Sequence, residues 1–204
     1  MSSTVVGKPR TRPAAERRDD LMDAAARLFL AQGLENTTVE EITQGAGVAK
    51  GSFYLHFATK ADVLEALRGR FVQSVLDAII AEVAKCKPED WQDKLTAWSR
   101  ACAMGYLDAI PLHHFVFAAA PPAPTAGLAR NALVDDLTRL LAAGRSENAW
   151  PVDDPGFTAI FLFNGLHGAV NQPGIGDRSS DRRALLRAID QQFRRALGLP
   201  PAGN

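Results

Sequence analysis

Residues Thr37 to Leu64, TTVEEITQGAGVAKGSFYLHFATKADVL, constrain this chain more than any other stretch, because they spell two short helices joined by a glycine turn, with a third helix opening behind them. Thr37 and Glu40 stand at the Thr-x-x-Glu spacing of a capping box, which predicts a helix starting near Thr38. Val39, Ile42 and Ala46 recur at helical spacing and face inward. Ala46-Gly47 supplies the stop, since glycine takes a positive φ without steric strain. Val48, Phe53 and Phe57 then mark the buried stripe of a second helix of about two turns, leaving Lys50, Gly51, Ser52, Tyr54 and His56 for its outer faces. Isolated helices shorter than about a dozen residues are marginal in water, so this one is held by its neighbours and exists for what it displays.

What it displays suits a nucleic acid. Lys50 can pair with a phosphate, Gly51 lets a backbone come close, Ser52 can bond a base edge or a phosphate, and Tyr54 and His56 add donors. Phosphate contacts of this kind fix orientation, and base-edge contacts in the major groove carry sequence information. The plainer alternative is a solvated face beside an ordinary core tyrosine and histidine.

The segments LMDAAARLFLAQGLENTTVEEI, AGVAKGSFYLHF and KADVL, between about Asp20 and Leu64 and covering roughly a quarter of the chain, together resemble the DNA-binding domain of the TetR family of bacterial transcriptional regulators. The resemblance implies phosphate contacts from Thr37 or Thr38, Tyr54, His56 and Lys60, and base contacts near Lys50, Gly51 and Ser52. Three departures bear on detail. Ala49 stands where a serine is common and cannot cap the recognition helix, a loss of about 1 kcal/mol in typical hosts. Leu55 replaces an often polar residue, and Thr43-Gln44-Gly45 replaces better helix formers, the glycine costing about 1 kcal/mol in a helix interior.

Formal net charge is zero, but its distribution is uneven. Residues 1 to 18 carry Lys8, Arg10, Arg12, Arg17 and Arg18 against Glu16 alone, a basic arm suited to phosphates or the minor groove unless it is merely a solvated tail. No run of 18 apolar residues and no signal peptide is present, which predicts a cytoplasmic protein with no membrane partner. Cys86 and Cys102 lie far apart in a setting where thiols stay reduced, so both read as packing.

Helical periodicity continues to the end of the chain. A long helix is predicted from Lys60 to Lys85, capped by Thr59 and Asp62, and a second from near Pro88, with Trp91, Leu95, Trp98, Cys102 and Tyr106 along one face. That aromatic stripe is either core or the wall of a ligand pocket. A short piece with His113, His114, Phe115 and Phe117 follows, then AAAPPAPTAG, a loop or flap, then an amphipathic helix from Leu128 to about Asn148. Apart from Asp108, nothing stands at metal-site spacing with the paired histidines, and no metal or cofactor is assigned.

FTAIFLFNGLHGAVN, Phe157 to Asn171, is apolar nearly all round and therefore needs cover on two sides. The last helix, Asp181 to Leu197, offers Leu185, Ile189, Phe193 and Leu197, and a second copy of the chain is the natural further partner. Phe161, Gly165, Gly168, Ala169, Leu185, Ile189 and Phe193 are the expected interface of a two-fold homodimer, as the family resemblance also implies. Asn164, His167 and Asn171 form one polar stripe on this rod, which either fixes packing or anchors a ligand. The candidate pocket comprises Trp98, Cys102, Tyr106, His113, Phe117, Asn164 and His167, for an apolar or aromatic small-molecule effector.

The expected architecture is all-α: a basic arm over residues 1–14, a three-helix helix-turn-helix domain over 15–60, and a helical bundle over 61–204 for ligand binding and dimerisation. The expected function is a repressor that grips a palindromic double-stranded DNA operator as a dimer and is released by its effector. Dimers of this type present recognition helices about 34 to 36 Å apart. Two alternatives are a DNA-binding protein governed by a protein partner, and an all-helical enzyme with His113, His114 or His167 as base and Cys102 or Ser99 as nucleophile. The chain has no catalytic signature motif, and an enzyme would leave the Thr37 to Lys60 pattern without purpose.

Overall fold

The computed structural model describes residues 14–118, 132–172 and 179–201. Among these residues the regular structure is helical throughout: α1 (Ala14–Asn36), α2 (Val39–Gly45), α3 (Lys50–Tyr54), α4 (Lys60–Val83), α5 (Trp91–Asp108), α6 (Ile110–Ala118), α7 (Ala132–Ser146), α8 (Pro155–Val170) and α9 (Ser179–Ala196). The expected all-α architecture is what forms. The first thirteen residues of the basic arm, most of the proline-rich loop and residues 128–131 of the amphipathic helix lie outside the described residues. No described helix is long and apolar enough to cross a membrane.

The chain divides into two compact units between Leu67 and Arg68, within α4 rather than at its start. The first unit is built on α1, whose Leu21, Met22, Ala25 and Phe29 are buried with Ile42, Phe53, Phe57, Val63, Leu64 and Leu67. The division falls late because the first two turns of α4 still contribute core residues to this unit, and the larger core begins only at Phe71. Arg17 and Arg18, read as part of the arm, are on α1, where the Arg18 guanidinium sits 5.0 Å from the centre of the Phe57 ring. Near its end α1 breaks at Gly33, with φ 83° and ψ 165°, a conformation open to glycine and unfavourable for any side chain.

In the second unit α5 packs on α6, α7, α8 and α9. It begins at Trp91, capped by Asp90, whose carboxylate accepts from the Asp93 amide, so the start lies beyond Pro88. Two glycines permit the tightest approaches. A Cβ on Gly105 would lie 2.9 Å from Val75, and one on Gly144 would lie 2.1 Å from the Trp150 ring. The Trp150 indole donates to the Leu141 carbonyl at 2.8 Å, so ring and helix α7 are locked together.

Candidate nucleic-acid interface

The helix-turn-helix is held by a cap, a turn and two buried rings. Thr38 caps α2: its hydroxyl accepts from the Glu41 amide at 3.2 Å, while the Glu41 carboxylate accepts from the Thr38 amide at 2.7 Å. These bonds, the backbone one foremost, hold the Glu41 carboxyl below its ordinary pKa. The box is therefore Thr38 and Glu41, not Thr37 and Glu40. Thr37 is only 1% exposed, and its hydroxyl donates to the Gly33 carbonyl at 2.7 Å, so it has no reach to a phosphate. Of the two threonines implied as contacts, only Thr38 remains on the surface. Gly47 makes the turn with φ 66°, and α3 follows, a helix of 5 residues rather than two full turns, continued by a turn through His56. Ala49 stands at its N-cap without a side-chain bond.

Phe53 and Phe57 anchor α3 from beneath, their ring centres 5.8 Å apart. The opposite face carries Lys50, Gly51, Tyr54 and Leu55, all exposed, with Ser52 and His56 half-buried. Tyr54 is 59% exposed, which removes the core-tyrosine alternative. A Cβ on Gly51 would meet nothing within 4 Å, so the fold leaves open the space that glycine vacates. Lys50 lies 3.5 Å from Glu40 across the surface, an exposed pair of the kind worth little and easily exchanged for a phosphate. Gln44 and Arg17, not singled out as contacts in the sequence, line the same groove as Ser52, about 690 Å³ between the start of α1 and the turn. In sequence Gln44 carries only a helix-forming role, and its position beside the turn is a tertiary fact.

Lys60, implied as a phosphate contact, is turned to the protein's own backbone instead. Its ammonium donates to the carbonyls of Leu34, Glu35 and Thr37 at 2.7, 3.3 and 2.6 Å. An ammonium has three donors, and here all three are committed to the chain that leaves the Gly33 break. Lys60 positions the helix-turn-helix and is not offered to a phosphate.

The candidate pocket residues separate. Tyr106, His113, Phe117 and His167 come together with Phe71 and Phe163: ring centres lie 4.9 Å apart for Tyr106 and His113, 5.0 Å for His113 and His167, and 5.2 Å for Phe71 and Tyr106. Cys102, one turn before Tyr106, is fully buried, and burial raises both its thiol pKa and the Tyr106 phenol pKa. Trp98 belongs elsewhere, stacked on Phe193 at 6.3 Å with its indole donating to Asp136 at 2.9 Å. Asn164 is exposed and bonds its own helix, at the Ile160 carbonyl. The clustered rings pack edge to face and tilted against one another.

A polar network crosses this cluster. Asn171 Nδ2 lies 3.1 Å from His167 Nε2, and His113 Nε2 lies 3.1 Å from the same atom. Asn171 Nδ2 also donates to the His167 carbonyl at 2.9 Å, which fixes the amide orientation, so His167 Nε2 is an acceptor and His113 Nε2 a donor. His114 Nε2 then donates to Asn171 Oδ1 at 3.1 Å. His113 Nδ1 is left as a buried acceptor with no partner. Burial first, then the neighbouring His167 and His114, push the His113 pKa down to about 4, and burial likewise lowers that of His167.

On the outer side of α8, Phe157 and Phe161 are 66% and 67% exposed, with Gly165 and Gly168 also on the surface. A groove of about 570 Å³ runs between α8 and α9, with Phe161, Gly165, Ala169 and Leu185 on its walls. Ile189 and Phe193, expected at an interface between chains, are 6% and 2% exposed: they belong to the chain's own core, because that stripe of α9 faces α5 and α8, and also line the floor of this groove.

The helix-turn-helix matches a family model described as bacterial regulatory proteins, tetR family, over residues 21–67. Over 54 residues the chain is 48% identical to the HTH-type transcriptional repressor KstR2 of Mycobacterium tuberculosis, which is 26% of this chain and 27% of that protein. It is 39% identical over 79 residues to KstR2 of Mycolicibacterium smegmatis, 35% of this chain and 38% of that one. The matched stretch thus spans about a quarter to two-fifths of these relatives' length. Beyond it the likeness is one of fold: the fatty acid degradation regulator FadR from Bacillus halodurans superposes with a TM-score of 0.70 at 22% identity, covering 90% of this chain and 96% of that one. An exposed α3 seated on Phe53 and Phe57 at the head of an all-helical chain is the geometry of a helix-turn-helix domain of the DNA-binding kind. Over residues 21–67 the chain is similar to the DNA-binding domain of the tetR family of bacterial regulatory proteins.

Proposed function

We propose that the chain acts in the cytoplasm as a homodimeric repressor that grips a palindromic double-stranded DNA operator through α3 and is released by a small apolar or aromatic effector. The observation that carries DNA reading is the outward face of α3, where Lys50, Gly51, Ser52 and Tyr54 surround a glycine position with no protein atom above it. Ser52 and Gly51 read base edges, and Tyr54, His56 and Thr38 hold phosphates. Selection from a random duplex pool gives the operator, and fluorescence anisotropy then tests the face. Ser52→Ala is expected to alter preference among sequences, and equal weakening on all of them removes Ser52 from base readout.

Effector control rests on the ring cluster, whose unpartnered His113 Nδ1 offers an acceptor to a ligand carrying one hydroxyl or N–H donor. Entry requires the rings to move apart, so the ligand selects a second arrangement of the bundle and couples to DNA affinity only through that difference. Control by a protein partner is the second reading, supported by the exposed α8 rings Phe157 and Phe161. Screening small molecules for release from operator DNA, with His167→Ala as the control, separates the two.

A further inference from the structure

Helices α5 and α9 run antiparallel, and their cross-links set the register. Arg194 donates to Gln92 Oε1 at 2.7 Å, Thr96 donates to Asp190 Oδ1 at 2.7 Å, and Arg182 donates to Asp108 and to the Leu107 carbonyl at 2.7 and 3.0 Å. One turn on from Thr96 this register brings Arg100 opposite Leu186, with Arg183 and Arg187 flanking it one turn apart on α9. The three arginines, with Thr96, Leu186 and Asp190, line a groove of about 270 Å³.

The neighbouring cations of the ladder are engaged, Arg182 by Asp108 and Arg194 by Gln92 and the Pro200 carbonyl. Arg100, Arg183 and Arg187 have no hydrogen bond or ion pair among the described residues. The one acid in the groove, Asp190, already accepts from Thr96. Three positive groups therefore face one small space against one carboxylate, an arrangement that is repulsive when empty and is relieved by a ligand with two negative charges. A groove below the usual 300 to 1,000 Å³ of drug-sized sites, roughly, excludes a helix or a large cofactor and admits a compact anion. Planar guanidinium forks match tetrahedral oxyanions, to which each can bond with two parallel N–H groups.

We propose that the α5–α9 groove binds a phosphate or phosphomonoester dianion through Arg100, Arg183 and Arg187, with the Thr96 hydroxyl beside it and Leu186 as an apolar floor. This site is separate from the DNA-reading face and from the ring cluster, and the proposal does not depend on either reading.

The test is calorimetric titration of the full chain, at low ionic strength and without DNA, using inorganic phosphate, pyrophosphate and phenyl phosphate. Saturable binding at one site per chain is expected, weakened about tenfold by each of Arg100→Gln, Arg183→Gln and Arg187→Gln, through loss of one charge-assisted contact. Arginine-to-lysine variants should retain part of the binding, as charge without the fork. Arg139→Gln, an exposed cation on α7 paired with Asp136, should leave it unchanged. Tighter binding of phenyl phosphate assigns the groove to an organic monoester, and equal binding assigns it to free phosphate. No saturable binding, or binding indifferent to the three substitutions, overturns the proposal.

Discussion

Lys60 and Tyr54 share an implied role but have opposite surroundings, and substitution separates them. Lys60→Met removes the ammonium shared by three carbonyls beyond the Gly33 break, an expected loss of about 1 to 3 kcal/mol in unfolding free energy measured by urea denaturation. Tyr54→Phe touches an exposed hydroxyl and should leave stability within about 0.5 kcal/mol. Operator affinity should nevertheless fall by several-fold in anisotropy titrations. The reverse pattern would return Lys60 to the phosphate and take Tyr54 away from it. His113 supplies a pH signature. Its folded pKa, about 4, lies below the unfolded value of 6.5, so between these the unfolded chain binds more protons. The stability tied to neutral His113 is complete above pH 6.5 and is lost as pH falls toward 4, to the extent of about 3 kcal/mol. Urea midpoints of the wild type should drop across this window more steeply than those of His113→Leu. Parallel curves would mean that the ring is not buried neutral.

At the scale of elements, what the sequence made legible and what it hid follow from the range of the forces involved. The glycine turn and the Phe53 and Phe57 stripe are local and appear as spacing predicts, while the capping box of α2 forms one residue later than the Thr37 and Glu40 pair that spacing singles out. The choice between Thr37 and Thr38 is not local. Both stand three residues before a glutamate, and the positive φ at Gly33 turns Thr37 inward and leaves Thr38 for the cap. Gly45 looked like a poor helix former, yet its Cβ would stand 3.3 Å from Ala24, so the residue lets α2 lie close on α1. The α9 stripe was legible as apolar, but only the tertiary arrangement shows that Ile189 and Phe193 face inward. Likewise the aromatic stripe of α5 was seen whole, while the packing sends Trp98 to α7 and α9 and Tyr106 to the histidines. Ala49 gives an element-scale prediction. Ala49→Ser should restore a cap to α3 and raise stability by about 0.5 to 1 kcal/mol in urea unfolding, provided its hydroxyl reaches a free amide in the first turn. An unchanged midpoint would show that the tertiary hold of Phe53 and Phe57 already fixes the start of α3.

For the whole molecule the open question of assembly falls on the α8 face. Two phenylalanines two-thirds exposed on one side of a helix, beside glycines that allow close approach, are an apolar surface that water disfavours. A two-fold contact presents each residue twice, so one substitution per chain alters the interface at two places. Phe161→Glu should therefore act strongly on association: it removes an apolar contact of about 2 kcal/mol per copy and would bury a carboxylate against a facing apolar helix. Because Phe161 contributes little to the chain's own core, the melting temperature of the isolated chain should barely move. Sedimentation velocity is expected to show a dimer for the wild type and a monomer for the variant. Affinity for a palindromic operator should fall at least about a hundredfold while half-site binding persists, since the recognition face is untouched. A variant that still sediments as a dimer would place the interface elsewhere, and a wild type that sediments as a monomer at operator-binding concentrations would remove the dimeric mechanism altogether.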